Sequence, residues 1–143
     1  MLGNMGIENI PVVTQSCAPA AASPLTGNAT AVLQEVAALL DALAQRGETG
    51  VIDLGGMPLS HADKAWLVEK LGPGEIEMTL DLEGISQIRE TAFHGVWWLI
   101  HRNENSVVTG EFIEVSRVPE LVLAHADDIR HSAESLNRLI GDL

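Results

Sequence analysis

The chain has 143 residues, of which 46% are hydrophobic, and this is enough for one domain with a substantial core. Only three Trp and two Phe are present, so the predicted core is mainly aliphatic. The formal net charge of −12 argues against nucleic acid and anionic membrane as partners, because both select for Lys and Arg. The same charge is compatible with a basic partner.

The N-terminal segment contains the single cysteine, Cys17, which can form neither an internal disulfide nor a cysteine-based metal site. A lone thiol favours a reducing compartment. No signal-peptide pattern is present, and no apolar run approaches the ~20 residues of a membrane span. We therefore expect a cytoplasmic protein without membrane insertion or cofactor. In this prediction residues 1–27 form a flexible tail and residues 28–143 form a single domain.

The first predicted element is an amphipathic helix. Asn28 is a suitable N-cap, and apolar residues then recur at helical spacing until about Arg46. Gly47 follows as a C-terminal stop. The apolar positions are Val32, Val36, Leu39, Leu40 and Leu43.

A short strand and a second helix are predicted next. Residues 51–54 (VIDL) form an apolar run after a turn, which is typical of a buried strand. Ser60 and Asp63 resemble a capping box with Asp in place of Glu, so a helix is expected to begin there and to end near Leu71. The Gly-Pro-Gly sequence at 72–74 then stops this helix.

Four strands are predicted in succession after this turn. Residues 75–83 alternate between apolar and polar side chains, as in a half-exposed strand. Further strands are expected over 86–91, 95–102 and about 106–117. Gly110 is a candidate bulge or bend in the last of them.

A helical region is predicted at the end of the chain. Pro119 is favoured in a first helical turn, and apolar residues at helical spacing extend the region to near Ile140, with a break at His125–Ala126. Because the strands are segregated rather than alternating with helices, the predicted class is α+β. We expect an antiparallel or mixed sheet of about four to five strands with helices packed on it.

Residues 90–101 (ETAFHGVWWLIH) contain three of the five aromatic residues of the chain. A strand directs Trp97 and Trp98 to opposite faces. Either the strand is covered on both faces, or one face is exposed and marks a partner-binding or dimer surface. The candidate partner-surface residues in this segment are Glu90, Thr91, Phe93, Trp97 and Trp98.

The predicted strand 75–83 has four carboxylates on its polar face, at Glu75, Glu77, Asp81 and Glu83. One interpretation is a solvated face that also discourages edge-to-edge aggregation. The other is a docking surface for a basic segment, in which charge complementarity affects encounter rate and specificity. We include these carboxylates in the candidate partner surface.

The sequence has no nucleophile elbow, phosphate loop or dinucleotide fingerprint. Glu90, His94 and His101 are the alternative candidates for an acid/base or small-ligand site, which requires them to converge in one pocket. His125 and His131 do not share a helix face, so a metal site is not predicted from them. The residues therefore do not argue for an enzyme.

Three segments together resemble a known family: LGPGE at Leu71–Glu75, RETAFHGVWWLIH at Arg89–His101 and IEVSRVPE at Ile113–Glu120. They are similar to the C-terminal conserved module of hydrogenase expression/formation proteins of the HupH/HyaF type, over roughly Leu71–Ile140. The Glu-Thr-x-Phe-x-Gly-Val-Trp core and the Ile-Glu-Val…Val-Pro ending are the specific parts. In that family the tryptophan is commonly followed by a basic residue, where this chain has Trp98.

The resemblance implies accessory work in the maturation of nickel–iron hydrogenase. Such proteins are regarded as chaperone-like factors for the iron–sulfur small subunit before its export. The implied partners are therefore the hydrogenase small-subunit precursor and other maturation factors. Longer members carry this kind of module twice, whereas this chain has room for one, and no catalytic residues are established for the module. A homodimer that pairs through its Trp-bearing face is the remaining alternative.

Overall fold

The structure, a computed structural model, describes residues 24–143, and one antiparallel sheet organises this part of the chain. Its strand order is β1-β5-β4-β3-β2, and every neighbouring pair is antiparallel. The α+β prediction is confirmed, with an antiparallel rather than a mixed sheet. Cys17 and residues 1–23 of the predicted tail lie outside the described residues. The elements are α1 (Asn28–Arg46), β1 (Gly50–Asp53), α2 (His61–Leu71), β2 (Pro73–Asp81), β3 (Ile85–Thr91), β4 (Val96–Arg102), β5 (Val108–Val115), a 3-10 turn (Glu120–Val122) and α3 (Ala126–Gly141).

The main core lies between one face of the sheet and the helices α1 and α2. Val32 and Val36 of α1 are buried there with Leu67 of α2, and they meet Trp98 and Ile113 from the sheet. Full burial of an aliphatic side chain of this kind stabilises the fold by about 1.5–3 kcal/mol. The predicted aliphatic core is thus present, with one Trp within it.

The start of α1 differs from the prediction by one residue. The N-cap is Gly27, whose φ of 89° lies in the left-handed region and which has no side chain to cap the helix. Asn28 is already helical, and its side-chain Nδ2 donates instead to the carbonyl oxygen of Pro58, at 2.9 Å. Gly47 ends the helix as predicted.

The predicted capping box at the start of α2 is confirmed. The Ser60 hydroxyl accepts from the Asp63 backbone N–H at 3.1 Å, and the Asp63 carboxylate accepts from the Ser60 N–H at 2.9 Å. Asp63 also accepts from the N–H and the hydroxyl of Thr26, at 3.0 and 2.6 Å. These hydrogen bonds, first of all that from the Thr26 hydroxyl, lower the pKa of Asp63 from its ordinary 3.8 to about 2. They also fasten the segment before α1 to α2.

Two strand predictions need correction. The run 51–54 is not a fully buried strand, because β1 is an edge strand in which Val51 and Asp53 are exposed and Ile52 is buried. In β5, the extra residue of the bulge is Thr109, which lies between the paired positions of the β4–β5 ladder. Gly110 beside it leaves room for an aromatic ring, since a Cβ there would lie 2.8 Å from Cε2 of Phe112.

The C-terminal helical region is divided as the sequence suggested. A 3-10 turn follows Pro119, the chain becomes extended at Leu123, and α3 begins after His125. No residue of α3 is buried against the rest of residues 24–143. The expectation that the helices pack on the sheet is therefore correct for α1 and α2 and wrong for α3. Within the described residues, no helix is long and apolar enough to cross a membrane.

Candidate functional site

The segments that carry the resemblance meet at one end of the sheet. Trp97 in β4 lies directly between Glu90 in β3 and Glu114 in β5, because each of them is its cross-strand neighbour. Such neighbours project to the same face, which here is the face opposite the one carrying Trp98. Segments that are distant in sequence therefore form one row of side chains across three strands.

Both tryptophans of β4 are buried, so neither ring is available to a partner. Trp97 is 4% exposed, and its indole Nε1 donates to the Ser116 carbonyl oxygen at 3.0 Å. Trp98 is 2% exposed, and its Nε1 donates to Glu111 at 2.9 Å. Both tryptophans of β4 are therefore covered, as in the first of the two predicted arrangements, and within residues 24–143 the helices lie on the Trp98 face. Trp97 and Trp98 are therefore core residues and not, as predicted, part of an exposed partner surface, whereas a homodimer through the Trp-bearing face stays a prediction.

Glu114 holds the chain that follows β5 against the Trp97 face of the sheet. Its Oε2 accepts from the Ser116 hydroxyl and from the Glu120 backbone N–H, both at 2.9 Å. Pro119 between them is fully buried. The Ile-Glu-Val…Val-Pro ending thus acts as a clamp, which holds the chain after β5 beside Trp97.

The loop between β3 and β4 is also held by its own side chains. The Thr91 hydroxyl accepts from the Phe93 N–H and donates to the Phe93 carbonyl oxygen, both at 3.2 Å. Glu90 is buried, and its carboxylate meets Nδ1 of His94 at 3.3 Å. Gly95 has a φ of 91°, which favours glycine. Glu90 and Thr91 therefore shape this loop rather than form a surface.

Phe93, at the tip of this loop, is the aromatic residue that faces outward, and it is 49% exposed. Its ring lines an apolar groove of about 320 Å³ between α1, α2 and the loop. A cavity left by truncating one buried leucine is ~150 Å³, so the groove has room for about two large aliphatic side chains. Lys70 is the one charged residue of the lining. The lining residues are Leu33, Val36, Ala37, Leu40, Lys70, Leu71, Phe93 and Val96.

The groove adjoins the beginning of the acidic strand β2. The backbone N–H of Ala92, next to Phe93, donates to the carbonyl oxygen of Leu71 at 2.9 Å, and Pro73 at the start of β2 pairs with Thr91. Glu75 follows Pro73 by two residues. β2 is an edge strand with no neighbour on its outer side among the described residues.

The four predicted carboxylates of this strand are all exposed. Glu77 lies opposite Arg89 and Asp81 opposite Ile85 in the ladder with β3. Glu75 lies in a stretch where the register shifts, and Glu83 lies in the turn after β2. The strand is confirmed, but its apolar face is only partly buried, at Met78 and Leu80, because Ile76 and Leu82 are exposed. Its role as a docking surface remains a prediction.

The three residues of the acid/base alternative do not converge. His101 pairs with Ser86, and its Nδ1 lies 2.6 Å from the Ser86 hydroxyl oxygen. Glu90 pairs instead with Trp97, four residues away along β4, which corresponds to about 13 Å. The side chain of His94 is 87% exposed. The predicted pocket of these three residues is therefore not formed.

Some important residues were not singled out from the sequence. Glu111 accepts from Trp98 and also pairs with Lys64 of α2, whose Nζ lies 3.0 Å away, and Glu114 clamps the chain after β5. A carboxylate between two buried aliphatic residues, as in Ile-Glu-Val, was the available signal for Glu114. Within residues 24–143, no group of three or more His, Cys, Asp or Glu side chains is arranged to hold a metal ion.

The fold and the site define a small α+β domain with an apolar groove beside an acidic edge strand. Comparison with known proteins then gives the family. The chain belongs to the family described as "HupH hydrogenase expression protein, C-terminal conserved region", whose model matches residues 26–143. The resemblance noted from the three segments is confirmed, and it extends further towards the N-terminus than those segments.

Individual relatives agree with this assignment. The chain is 31% identical over 117 residues to hydrogenase expression/formation protein HoxQ of Azotobacter vinelandii, covering 78% of this chain and 40% of the relative. It is 28% identical over 138 residues to HupH of Rhizobium leguminosarum bv. viciae, covering 91% and 49%. The solved structure of hydrogenase expression protein HupH from Thiobacillus denitrificans ATCC 25259 is similar with a TM-score of 0.80 and 44% identity, covering 84% of this chain and all of that one. The chain thus spans less than half the length of these two longer relatives.

Proposed function

We propose that this chain is an accessory binding domain, without catalytic activity of its own, in the maturation of nickel–iron hydrogenase. The relatives are named hydrogenase expression/formation proteins, which supports the pathway. The observation that best supports a binding role is the exposed ring of Phe93 beside an apolar groove. The buried row Glu90–Trp97–Glu114 and the loop bonds of Thr91 hold that ring in place. These buried residues and loop bonds thus support an exposed surface at Phe93.

The groove and the acidic strand indicate the chemistry of the segment that would bind. Apolar side chains fit the groove, because its lining is aliphatic and aromatic apart from Lys70. Basic side chains fit the exposed carboxylates of β2, such as Glu75 and Glu77. A hydrogenase segment with an apolar stretch next to basic residues is therefore the proposed ligand. We place it in the iron–sulfur small-subunit precursor, which the chain would hold in the cytoplasm as a chaperone-like factor before export.

Affinity capture tests this proposal. The tagged full chain is mixed with the purified small-subunit precursor at physiological salt, and the bound precursor is quantified. We expect capture by the wild type, and strongly reduced capture by Phe93→Ala. Val51→Ala is the matched control, because Val51 is also an exposed apolar residue but lies on the opposite edge strand of the sheet. No capture of the precursor by the folded wild type would refute the proposal, and equal loss in both variants would remove Phe93 from it.

A further inference from the structure

The helix α3 has an apolar face that nothing else in residues 24–143 covers. Ile129, Ala133, Leu136 and Ile140 recur at positions i, i+4, i+7 and i+11, and each is exposed. The opposite face carries polar residues such as His131 and Arg138. Most of the stability of a helix in a protein comes from packing its apolar face, and this 16-residue helix has no such packing among the described residues.

The charges favour a second copy of this chain over a basic partner. The segment 117–143 carries three arginines against five carboxylates, whereas most of the net charge of −12 lies elsewhere. A basic segment would therefore be drawn to the rest of the molecule, and two copies of α3 can meet with little repulsion. Only two charged residues, Asp128 and Arg130, flank the apolar face, and their charges are opposite.

The apolar face also matches itself when two helices run in opposite directions. A two-fold axis between Glu134 and Ser135 sets Ile129 of one copy opposite Ile140 of the other, and Ala133 opposite Leu136. The small Ala133 leaves space for the large Leu136, which permits close packing. Antiparallel pairing also sets the two helix dipoles in opposite directions, which favours association.

We propose that α3 forms a two-fold antiparallel helix pair with α3 of a second copy. This surface is distinct from the groove at Phe93, so the proposal does not depend on the hydrogenase partner. The pair would leave β2 and the groove of each copy free. It gives the chain two partner-binding sites per assembly, which raises avidity for a partner that presents more than one segment.

Sedimentation of the full chain from micromolar to a few hundred micromolar tests the proposal. We expect a concentration-dependent dimer that persists or strengthens as salt screens the net negative charge. Leu136→Asp should weaken dimerisation at least about 100-fold, since both copies lose a buried leucine. Ser135→Asp, which adds the same charge away from the apolar face, should not. Unchanged Trp fluorescence would show that the body of each variant is folded. A wild type that stays monomeric throughout, or a dimer that Leu136→Asp leaves intact, would overturn the proposal.

Disulfide formation between separate chains tests the direction of pairing. In a Cys17→Ser background, chains with Ile129→Cys are mixed with chains with Ile140→Cys and oxidised gently. Antiparallel pairing predicts a disulfide between the two different chains. It predicts none between two Ile129→Cys chains, whose residues lie about 16 Å apart along the axis. A dominant disulfide between identical Ile129→Cys chains would contradict the antiparallel arrangement.

Discussion

At the scale of single residues, Asp63 shows how one carboxylate joins two parts of the chain. It completes the capping box of α2 and accepts two hydrogen bonds from Thr26. Each of these bonds favours the ionised form, which is why the pKa of Asp63 falls to about 2. Because the folded pKa lies below the ordinary 3.8, Asp63 stabilises the fold above that pH, and this contribution is lost as the pH falls from about 4 to about 2.

We therefore predict that Asp63→Asn lowers the free energy of unfolding at pH 7, and that its difference from the wild type shrinks as the pH falls towards 2. Urea unfolding followed by Trp fluorescence between pH 2 and 7 measures this. Asp41→Asn, at an exposed position of α1, is the control and should show a much smaller pH-dependent difference. A constant difference between Asp63→Asn and the wild type over this range would contradict the assignment.

Trp97 is the second residue with a testable contribution. Its Nε1–H bonds to Ser116 and its ring is buried beside Glu90 and Glu114. We predict that Trp97→Phe lowers the free energy of unfolding by roughly 2–4 kcal/mol, because it loses this hydrogen bond, leaves the Ser116 oxygen unpaired and leaves a small cavity. Trp66→Phe, at a partly exposed position of α2, should lower the free energy of unfolding by less. An equal loss in the free energy of unfolding for the two variants would show that Trp97 stabilises the fold no more than a partly exposed tryptophan does.

At the scale of the elements, the acidic strand β2 gives a prediction about salt. If its carboxylates attract a basic partner segment, the association rate should fall as ionic strength rises, because the Debye length shrinks from ~30 Å at 0.01 M to ~8 Å at 0.15 M. The double variant Glu75→Gln/Glu77→Gln should bind more slowly and respond less to salt. Stopped-flow or surface-immobilised kinetics measures both effects. An association rate that does not change with salt would restrict β2 to its role as a charged, aggregation-resistant edge.

Local signals in the sequence predicted most elements, and non-local geometry decided the rest. The Ser60–Asp63 box, Gly47 and the alternation of 75–83 act within a few residues, so their consequences were visible in the sequence. Whether each tryptophan of β4 is buried depends on which distant segments of the chain pack against its face of the sheet. Burial of Trp97 and exposure of Phe93 could therefore not be read from periodicity. The amphipathic pattern of α3 predicted a packed helix, but a pattern does not say whether the partner lies in the same chain.

At the scale of the whole molecule, one part of the candidate site could be predicted from the sequence and another part required the structure. The three similar segments indicated the family and the region around residues 89–101 from sequence alone. The groove required the structure, because Leu33 and Leu40 of α1 meet Lys70 of α2 and Phe93 only through the tertiary fold. In the segments around β4, Glu90, Trp97 and Glu114 are buried, and Phe93 reaches the surface.

The surfaces of the molecule are correspondingly separate. The apolar groove and the acidic edge of β2 adjoin each other, while the uncovered face of α3 belongs to a different segment. Partner binding and self-association can therefore be disrupted independently. Phe93→Ala should leave sedimentation unchanged, and Leu136→Asp should leave the intrinsic affinity of each groove unchanged. Loss of both properties in either single variant would contradict this separation.

The central claim is that Phe93 and its groove bind a hydrogenase component. Isothermal titration calorimetry of the full chain with the purified small-subunit precursor tests it most directly, with Phe93→Ala and Val51→Ala measured in parallel. We predict binding by the wild type and by Val51→Ala, and an affinity loss of about 10-fold or more for Phe93→Ala, as expected for an exposed aromatic residue that becomes buried at an interface. An unchanged affinity for a folded Phe93→Ala variant would contradict the account.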